Sequence, residues 1–192
     1  MPTANQIIQQ SLRAHAETVA QLDAFIPDIA QFAELIQATL SRGGKVLFMG
    51  NGGSAADSQH LAAELVGRFQ TERRGLAAIA LSTDTSILTS VGNDYGFERV
   101  FSRQVEALCR PDDLLVGIST SGNSANVLKA IEEGKKIGAV TVAMTGEGGG
   151  KLAAICDLTL AVPSRVTARV QEAHILIGHI LCELIDDANT AA

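Results

Sequence analysis

The chain has 192 residues, of which 46% are hydrophobic and 19% charged, and its formal net charge is −6. This composition is typical of a soluble α/β enzyme and excludes a disordered chain. The negative charge argues against nonspecific nucleic-acid binding, which requires a basic surface, and no segment has the uninterrupted apolar length of a membrane span.

The N-terminal region predicts two helices and no export signal. Residues 1–17 are polar and lack an apolar signal core, and Cys109, Cys156 and Cys182 lack CxxC spacing, which together indicate a cytoplasmic protein with buried free thiols. Apolar residues recur at helical spacing from Ile8 to Leu40, and Pro27 should break this pattern into two helices. Their apolar stripe could pack on the chain's own sheet or on another subunit, and the pattern alone does not decide between the two.

Five short apolar runs alternate with helical stretches or loops in the rest of the chain. Such alternation predicts a three-layer α/β sandwich, with a five-stranded parallel sheet flanked by helices and an N-terminal helical extension. We expect a single domain over residues 1–192, with 1–43 as the extension and 44–192 as the α/β core. Ligands of such sheets bind at the carboxyl ends of the strands. The runs are Lys45 to Met49, Ala77 to Leu81, Leu114 to Ile118, Val140 to Met144 and Leu158 to Val162.

The first run is followed by a glycine-rich loop, Gly50 to Ser54, and then by a predicted helix. The loop is neither a GxGxxG fingerprint nor a P-loop, so by itself it indicates a tight turn or a close approach of backbone to a ligand. On the helix, His60 and Glu64 are four residues apart and leave the same face. That spacing suits two ligands of one metal ion, although it is equally typical of a surface pair.

Two other glycine-containing loops carry less information. The motif Gly92 to Gly96 is a turn by default, with Asp94 as a possible contact to a ligand hydroxyl. The loop from Thr145 to Gly150 is expected to connect a strand to a helix without a further role.

The run from Ser119 to Ser124 is the most informative stretch, because it places three serines and a threonine between an apolar strand and a helix predicted over 123–137. A helix that begins there points free N–H groups and the positive end of its dipole at whatever the hydroxyls surround. The loop contains no lysine or arginine, so an anion would be held by hydrogen bonds. The alternative is an ordinary helix N-cap, but one cap needs only one hydroxyl.

The last predicted helix, Val166 to Asp187, carries a second polar set that includes Gln171, Glu172, His174 and His179. Gln171 and His179 are eight residues apart, close to two helical turns, so they can share a face. A single histidine in such an apolar helix is more often a core residue with one hydrogen bond. The case for a metal or catalytic site therefore depends on His60, Glu64, Gln171 and His179 together.

Taken together, these motifs resemble the sugar isomerase (SIS) family and, within it, the phosphoheptose isomerases. The serine loop marks the wider family. The quartet of His60, Glu64, Gln171 and His179 narrows it to the isomerases, because non-catalytic relatives that bind the replication initiator DnaA lack part of that set. The resemblance extends over nearly the whole chain, through G-N-G-G-S, H-x-x-x-E, G-N-D-Y-G, S-T-S-G-N-S and Q-E-x-H with His179 downstream.

The resemblance implies the interconversion of sedoheptulose 7-phosphate and D-glycero-D-manno-heptose 7-phosphate, which feeds heptose for lipopolysaccharide-type surface polysaccharide. It also implies a tetramer whose N-terminal helices form a central bundle, which favours a subunit contact for the apolar stripe. Further, it implies a substrate site at Asn51, Gly52, Gly53, Ser54, Glu64, Asn93, Asp94, Ser119, Thr120, Ser121, Ser124 and Gln171, with the hydroxyl side chains around the phosphate.

One zinc ion per subunit is implied as well, held by His60, Glu64, Gln171 and His179. By the same resemblance, Glu64 and His179 would transfer protons through an enediolate. A glutamine amide is an unusual ligand for zinc, whose common partners are His, Cys and carboxylate, so the identity of the metal is less firmly indicated than the isomerase activity.

Two other functions are compatible with the sequence. A SIS-fold regulator could bind DnaA without turnover, and the segment Phe69 to Arg74 could then serve as a charged partner surface, although it is more typical of a solvated loop. An isomerase for another sugar phosphate is the second, because the shape of the pocket sets the length of the sugar.

Overall fold

Five parallel strands form the centre of the fold in a computed structural model, which describes residues 1–190 and the side chains of residues 1–188. The strands are β1 Val46–Gly50, β2 Ala78–Ala80, β3 Leu114–Ser119, β4 Val140–Thr145 and β5 Leu158–Ala161. Each predicted run becomes a strand whose ends differ from the prediction by at most one residue. β1 and β3 are buried along their whole length, which explains why these runs are continuously apolar instead of alternating.

Helices cover both faces of the sheet and confirm the predicted three-layer sandwich. One core cluster lies between the sheet and α2, α3 and α8, and the other lies between the sheet and α5, α6 and α7. Within residues 1–190, no helix combines the length and apolarity needed to cross a membrane. The helices are α1 Ala4–Ala20, α2 Ile26–Ser41, α3 Gly53–Val66, α4 Thr85–Tyr95, α5 Ser102–Leu108, α6 Ala125–Ile137, α7 Gly150–Ala153 and α8 Thr167–Thr190.

The strand order β2-β1-β3-β4-β5 places a topological switch between β1 and β3. From β1 the chain proceeds outward to β2 on one side, and from β3 it proceeds through β4 to β5 on the other. At such a point the two strand-to-helix loops diverge and leave a crevice for a ligand. The loops that flank this crevice are the glycine-rich loop after β1 and the serine loop after β3.

The two N-terminal helices differ in how their apolar stripe is packed: that of α2 lies on the chain's own core, and that of α1 is exposed. A 3-10 helix at Gln21–Phe25 separates α1 from α2, and Pro27 lies in the first turn of α2, where its missing N–H has no helical acceptor. In α2, Phe32 and Ile36 are buried in the chain's own core, so this helix does not offer its stripe to another subunit. In α1, Ile8 and Leu12 are 56% and 65% exposed. Oligomerisation therefore stays a prediction for α1.

The motif Gly92 to Gly96 is not a turn, and this corrects the expectation from sequence. Residues 92–95 form the last turn of α4, whose start is capped by Asp84 through the N–H of Ile87. The helix ends at Gly96, which has a φ of 86°. The Asp84 cap at the start, and a glycine at the end that tolerates a positive φ, thus override the turn preference of Gly-Asn-Asp.

Candidate active site

The serine loop contains a chain of hydroxyl groups at the carboxyl end of β3. Ser119 Oγ lies 2.8 Å from Ser124 Oγ and 3.4 Å from Ser121 Oγ. Ser124 is the N-cap residue of α6, yet its own side chain makes no capping hydrogen bond. The Ser124 hydroxyl turns to Ser119 instead, and the N–H of Val127 donates to Asn126 Oδ1 at 3.0 Å. The N–H groups of Ala125 and Asn126 are left for an anion among these hydroxyls.

The glycine-rich loop is joined to the serine loop across the switch point by a pair of amides. Asn51 Nδ2 donates to Asn126 Oδ1 at 2.9 Å, and Asn126 Nδ2 donates back to Asn51 Oδ1 at 2.8 Å. Asn126 is buried in the first turn of α6, and Ser54 is buried in the first turn of α3. The starts of α3 and α6 are thereby fixed side by side, so both can contribute donors to one ligand.

The loop from Thr145 to Gly150 holds the serine loop in place, although the sequence suggested no role for it. The N–H of Gly146 donates to Thr120 O at 3.0 Å, and the N–H of Leu152 donates to Gly122 O at 3.1 Å. Gly122 has a φ of 64°, and a Cβ there would lie 2.1 Å from Gly149 O. The two loops therefore pack backbone to backbone, which only glycine permits at this position.

Farther along α3, three of the four predicted metal ligands come together. His60 Nε2 lies 3.0 Å from His179 Nε2 and 3.3 Å from Glu64 Oε1. α8 approaches α3 closely here, because a Cβ at Gly178 would lie 2.5 Å from Leu61 Cδ2. The side chains of His60 and Glu64 remain 47% and 21% exposed, so a small molecule can reach this cluster.

These three side chains have the donor types of a catalytic zinc site. Two ligands bound at 2.0 to 2.1 Å to a tetrahedral zinc lie about 3.3 Å apart, which is close to both distances around His60 Nε2. Within the described residues, however, no group of three or more His, Cys, Asp or Glu side chains is arranged to hold a metal ion. The donor set fits zinc chemically, and the zinc itself stays a prediction.

Gln171, the fourth predicted ligand, lies at the other end of α3. A Cβ at Gly53 would lie 1.6 Å from Gln171 Nε2, so the amide packs on the backbone at the first residue of that helix. Seven residues separate Gly53 from His60, which corresponds to about 10.5 Å of helical rise. The structure thus places Gln171 beside the predicted sugar contacts of the glycine-rich loop, and its role as a metal ligand is untested.

The two histidines of α8 have different surroundings. His174 is fully buried, and its Nε2 lies 3.0 Å from Thr145 O, so it is the core histidine that such an apolar helix usually contains. Burial lowers the pKa of His174 to about 4. His179 instead stacks on Phe69, with ring centroids 5.5 Å apart, and faces His60. Of the two, only His179 is presented to a ligand at the α3 cluster.

Asn93 and Asp94 lie at the exposed end of α4, where Asn93 Nδ2 donates to Asp94 Oδ1 at 2.8 Å. That hydrogen bond is internal to the pair and does not link it to the serine or glycine-rich loop. Their predicted contact with the sugar is therefore untested by one chain alone.

Asp57 is not among the site residues predicted from the sequence, although it lies one turn before His60 on α3. Its side chain is buried, and its Oδ2 has no hydrogen-bond partner among the described residues. Burial raises the pKa of Asp57 from 3.8 to about 6, against an opposing effect of His60. The spacing of Asp57, His60 and Glu64 by three and four residues is the signal that could have revealed it.

Asp57→Asn is expected to stabilise the metal-free protein at pH 7 by about 1 to 3 kcal/mol, with little effect at pH 4. Because the folded-state pKa is raised, the unfolded chain binds fewer protons between pH 4 and 6, so the carboxylate reduces stability as the pH rises through this window. Urea unfolding of chelator-treated protein at both pH values measures the difference. Asp112→Asn is the control, since that side chain is 68% exposed. An equal gain at both pH values would contradict the assignment.

Comparison with known proteins shows which family the chain belongs to. The SIS domain profile matches residues 9–146. The phosphoheptose isomerase of Rhodospirillum rubrum is 54% identical over 187 residues, covering 94% of this chain and 98% of the relative. That of Aquifex aeolicus is 54% identical over 181 residues, covering 94% and 95%. The chain belongs to the phosphoheptose isomerases of the SIS family.

Structural comparison agrees with this assignment. The phosphoheptose isomerase structure from Neisseria gonorrhoeae superposes with a TM-score of 0.91 at 46% sequence identity, covering 96% of this chain and all of the other. The family resemblance and the fold expected from the sequence are thus confirmed. The chain is therefore a sugar-phosphate isomerase.

Proposed function

We propose that the chain interconverts sedoheptulose 7-phosphate and D-glycero-D-manno-heptose 7-phosphate through an enediolate. The observation that carries this proposal is the pairing of two sites on α3. The amide pair of Asn51 and Asn126 joins the hydroxyl loop to the start of α3. His60, Glu64 and His179 meet about two turns farther along that helix. An extended sugar with a terminal phosphate can occupy both sites at once, with the phosphate among the hydroxyls and the carbonyl end at the cluster.

The chemistry requires two proton transfers and a stabilised oxyanion. From the ketose, Glu64 removes a proton from C1 while His179 donates a proton to the oxygen on C2. The resulting enediol then takes the first proton back from Glu64 at C2 and gives the O1 proton to His179, which leaves the carbonyl at C1 and restores both residues. Binding of the remote phosphate fixes the carbons relative to Glu64, and such orientation contributes several kcal/mol to lowering the barrier.

A zinc ion is part of the proposal, with His60, Glu64 and His179 as its ligands. Gln171 would be the fourth only if its amide left the backbone at Gly53, about two turns away. When bound, it would act as a Lewis acid on the oxygens of C1 and C2. Elemental analysis of the purified protein tests this part, and about one zinc per subunit is expected. A protein that is fully active after complete removal of metal would contradict it.

The substrate is tested by incubating the purified, zinc-supplied protein with sugar phosphates of five, six and seven carbons. We expect turnover of sedoheptulose 7-phosphate to exceed that of the shorter ketoses. If the protein preferred a shorter sugar, the proposed substrate would be wrong, but the proposed isomerisation of a ketose to an aldose would stand. The relatives named as isomerases do not favour the DnaA-binding alternative, and capture of DnaA by a protein without any turnover would restore it.

We further propose that the protein works in the cytoplasm, where it contributes to heptose synthesis for surface polysaccharide. We also propose that it is a tetramer whose subunits contact each other through α1. The exposed Ile7, Ile8 and Leu12 on α1 support the assembly, because the described residues leave these apolar side chains more than half exposed. Leu12→Glu should shift the protein to smaller species in analytical ultracentrifugation. An unchanged mass would exclude this patch from the contact.

Gly122→Ala is expected to raise the KM for the sugar phosphate about 10- to 100-fold, since a Cβ at φ 64° meets Gly149 O and displaces the serine loop. Steady-state kinetics measures the change. The control is Gly138→Ala, which has a φ of 94° at the end of α6 but only Pro111 nearby, at 3.9 Å. It should lose thermal stability and keep its KM. Equal KM values for both variants would contradict a phosphate role for the loop.

A further inference from the structure

The segment from Gly67 to Gly75, which connects α3 to β2, is mostly exposed, as expected of a solvated loop, but the side chains of Phe69 and Arg73 are turned inward. The side chain of Arg73 is only 3% exposed, and it pairs with the equally buried Asp186 of α8 at 2.6 Å. Asp186 also accepts the N–H groups of Gln70 and Thr71 at 2.8 and 2.9 Å. One carboxylate on α8 thus holds three residues of this α3–β2 segment.

Arg73 at the same time binds the end of α3 that carries Glu64. Its Nη2 donates to Glu64 O at 2.9 Å, and its Nη1 donates to Leu65 O at 2.9 Å. The last carbonyls of a helix have no partner within it, and a guanidinium satisfies several of them in one fixed geometry. Arg73 therefore joins the backbone at Glu64 directly to Asp186, which lies seven residues after His179 on α8.

Phe69, in the same segment, contacts the other proton-transfer group. Its ring stacks on the ring of His179 at an interplanar angle of 21°. A second ring, that of His60, lies edge-on to His179 at an interplanar angle of 69°. His179 is thus confined by two rings, and its Nε2 is directed at His60 Nε2.

We propose that Phe69 and Arg73 are positioning residues, which together set the placement of His179 relative to Glu64. This inference rests on the proposed function of those two groups. Arg73 fixes the end of α3 to α8 and so sets the backbone positions, while Phe69 sets the orientation of the imidazole. Neither residue needs to touch the substrate. Misplacement of a reacting group by about 1 Å can cost a hundredfold in rate, so loss of either contact should affect turnover more than binding.

Phe69→Leu is the main test, because leucine keeps apolar volume but has no flat face to stack. We expect kcat for sedoheptulose 7-phosphate to fall about 10- to 100-fold with KM within about twofold, and Phe69→Tyr to restore most of the loss. The matched control is Phe25→Leu, since Phe25 is also half-buried against the same core cluster. It should lower the unfolding temperature without lowering kcat. A kcat for Phe69→Leu equal to that of wild type or of Phe25→Leu overturns the proposal.

Arg73→Lys gives a second test, since lysine keeps the charge but cannot hold Asp186 and both carbonyls at once. Provided that circular dichroism shows a folded variant, kcat should again fall at nearly constant KM. A folded variant with unchanged kcat removes Arg73 from the proposal.

The NMR signals of the imidazole rings separate this inference from the proposed function. The chain has four histidines, so ring carbon–proton signals of labelled protein can be assigned by substitution. Stacking predicts a ring-current shift of the His179 signals that disappears in Phe69→Leu and persists in Phe69→Tyr. If wild type shows this shift but no turnover, the proposed function fails while the positioning contact stands. If the His179 signals are the same in wild type and Phe69→Leu, the contact itself is refuted.

Discussion

Glu64→Gln should lower kcat by about 10²- to 10⁴-fold, the range expected for removal of a general base. The amide has the shape of the carboxylate but cannot accept the proton from C1. The side chain is 21% exposed and lies 3.3 Å from His60, so the change should leave the fold intact. Steady-state kinetics of the aldose product measures the loss, with circular dichroism as the check on folding.

Glu132→Gln on α6 is the control for this prediction, since it makes the same chemical change at an exposed position away from the cluster. It should keep wild-type kcat. Because Glu64 is also a proposed zinc ligand, bound metal must be measured in both proteins. Full activity of Glu64→Gln would remove Glu64 from the proton transfer.

His179→Gln should also lower kcat by about 10²- to 10⁴-fold, because glutamine cannot deliver a proton to the sugar oxygen. It retains length and polarity, and the cluster with His60 is open to solvent, so little stability should be lost. The rate of aldose formation, with bound zinc measured in parallel, tests this expectation. A variant that binds zinc normally and turns over at the wild-type rate would refute the assignment.

The neighbouring histidine provides the contrast. His174→Gln changes a fully buried residue whose Nε2 contacts Thr145 O at 3.0 Å. We expect it to lower the unfolding temperature while the folded protein keeps its kcat. Opposite outcomes for two histidines five residues apart on α8 would separate a core role from a catalytic one.

The sheet was predictable because its strands are buried on both faces. A continuous apolar run such as Leu114 to Ile118 is stable in an α/β fold only as a strand inside the sheet, covered on both faces. Polar or glycine residues mark its ends. The pairing of His60 with Glu64 was also predictable, since it depends on helical spacing alone.

The features that sequence did not reveal depend on contacts between distant segments. Arg73 looks like a surface charge until Asp186, 113 residues away, is placed beside it. Gln171 and His179 share a helix face, but Gly53 accommodates the amide of Gln171 two turns away from His60. Likewise, periodicity cannot show that α2 packs on the chain's own sheet while α1 is exposed, because both helices carry the same stripe.

The most direct test of the account is proton NMR of the zinc-supplied protein with sedoheptulose 7-phosphate in D₂O. We predict the appearance of D-glycero-D-manno-heptose 7-phosphate with deuterium at C2, since the proton carried by Glu64 exchanges with solvent between its two transfers. The Glu64→Gln variant should form no aldose in the same time. Absence of the aldose with wild-type protein, or its formation at an equal rate by Glu64→Gln, would contradict the account.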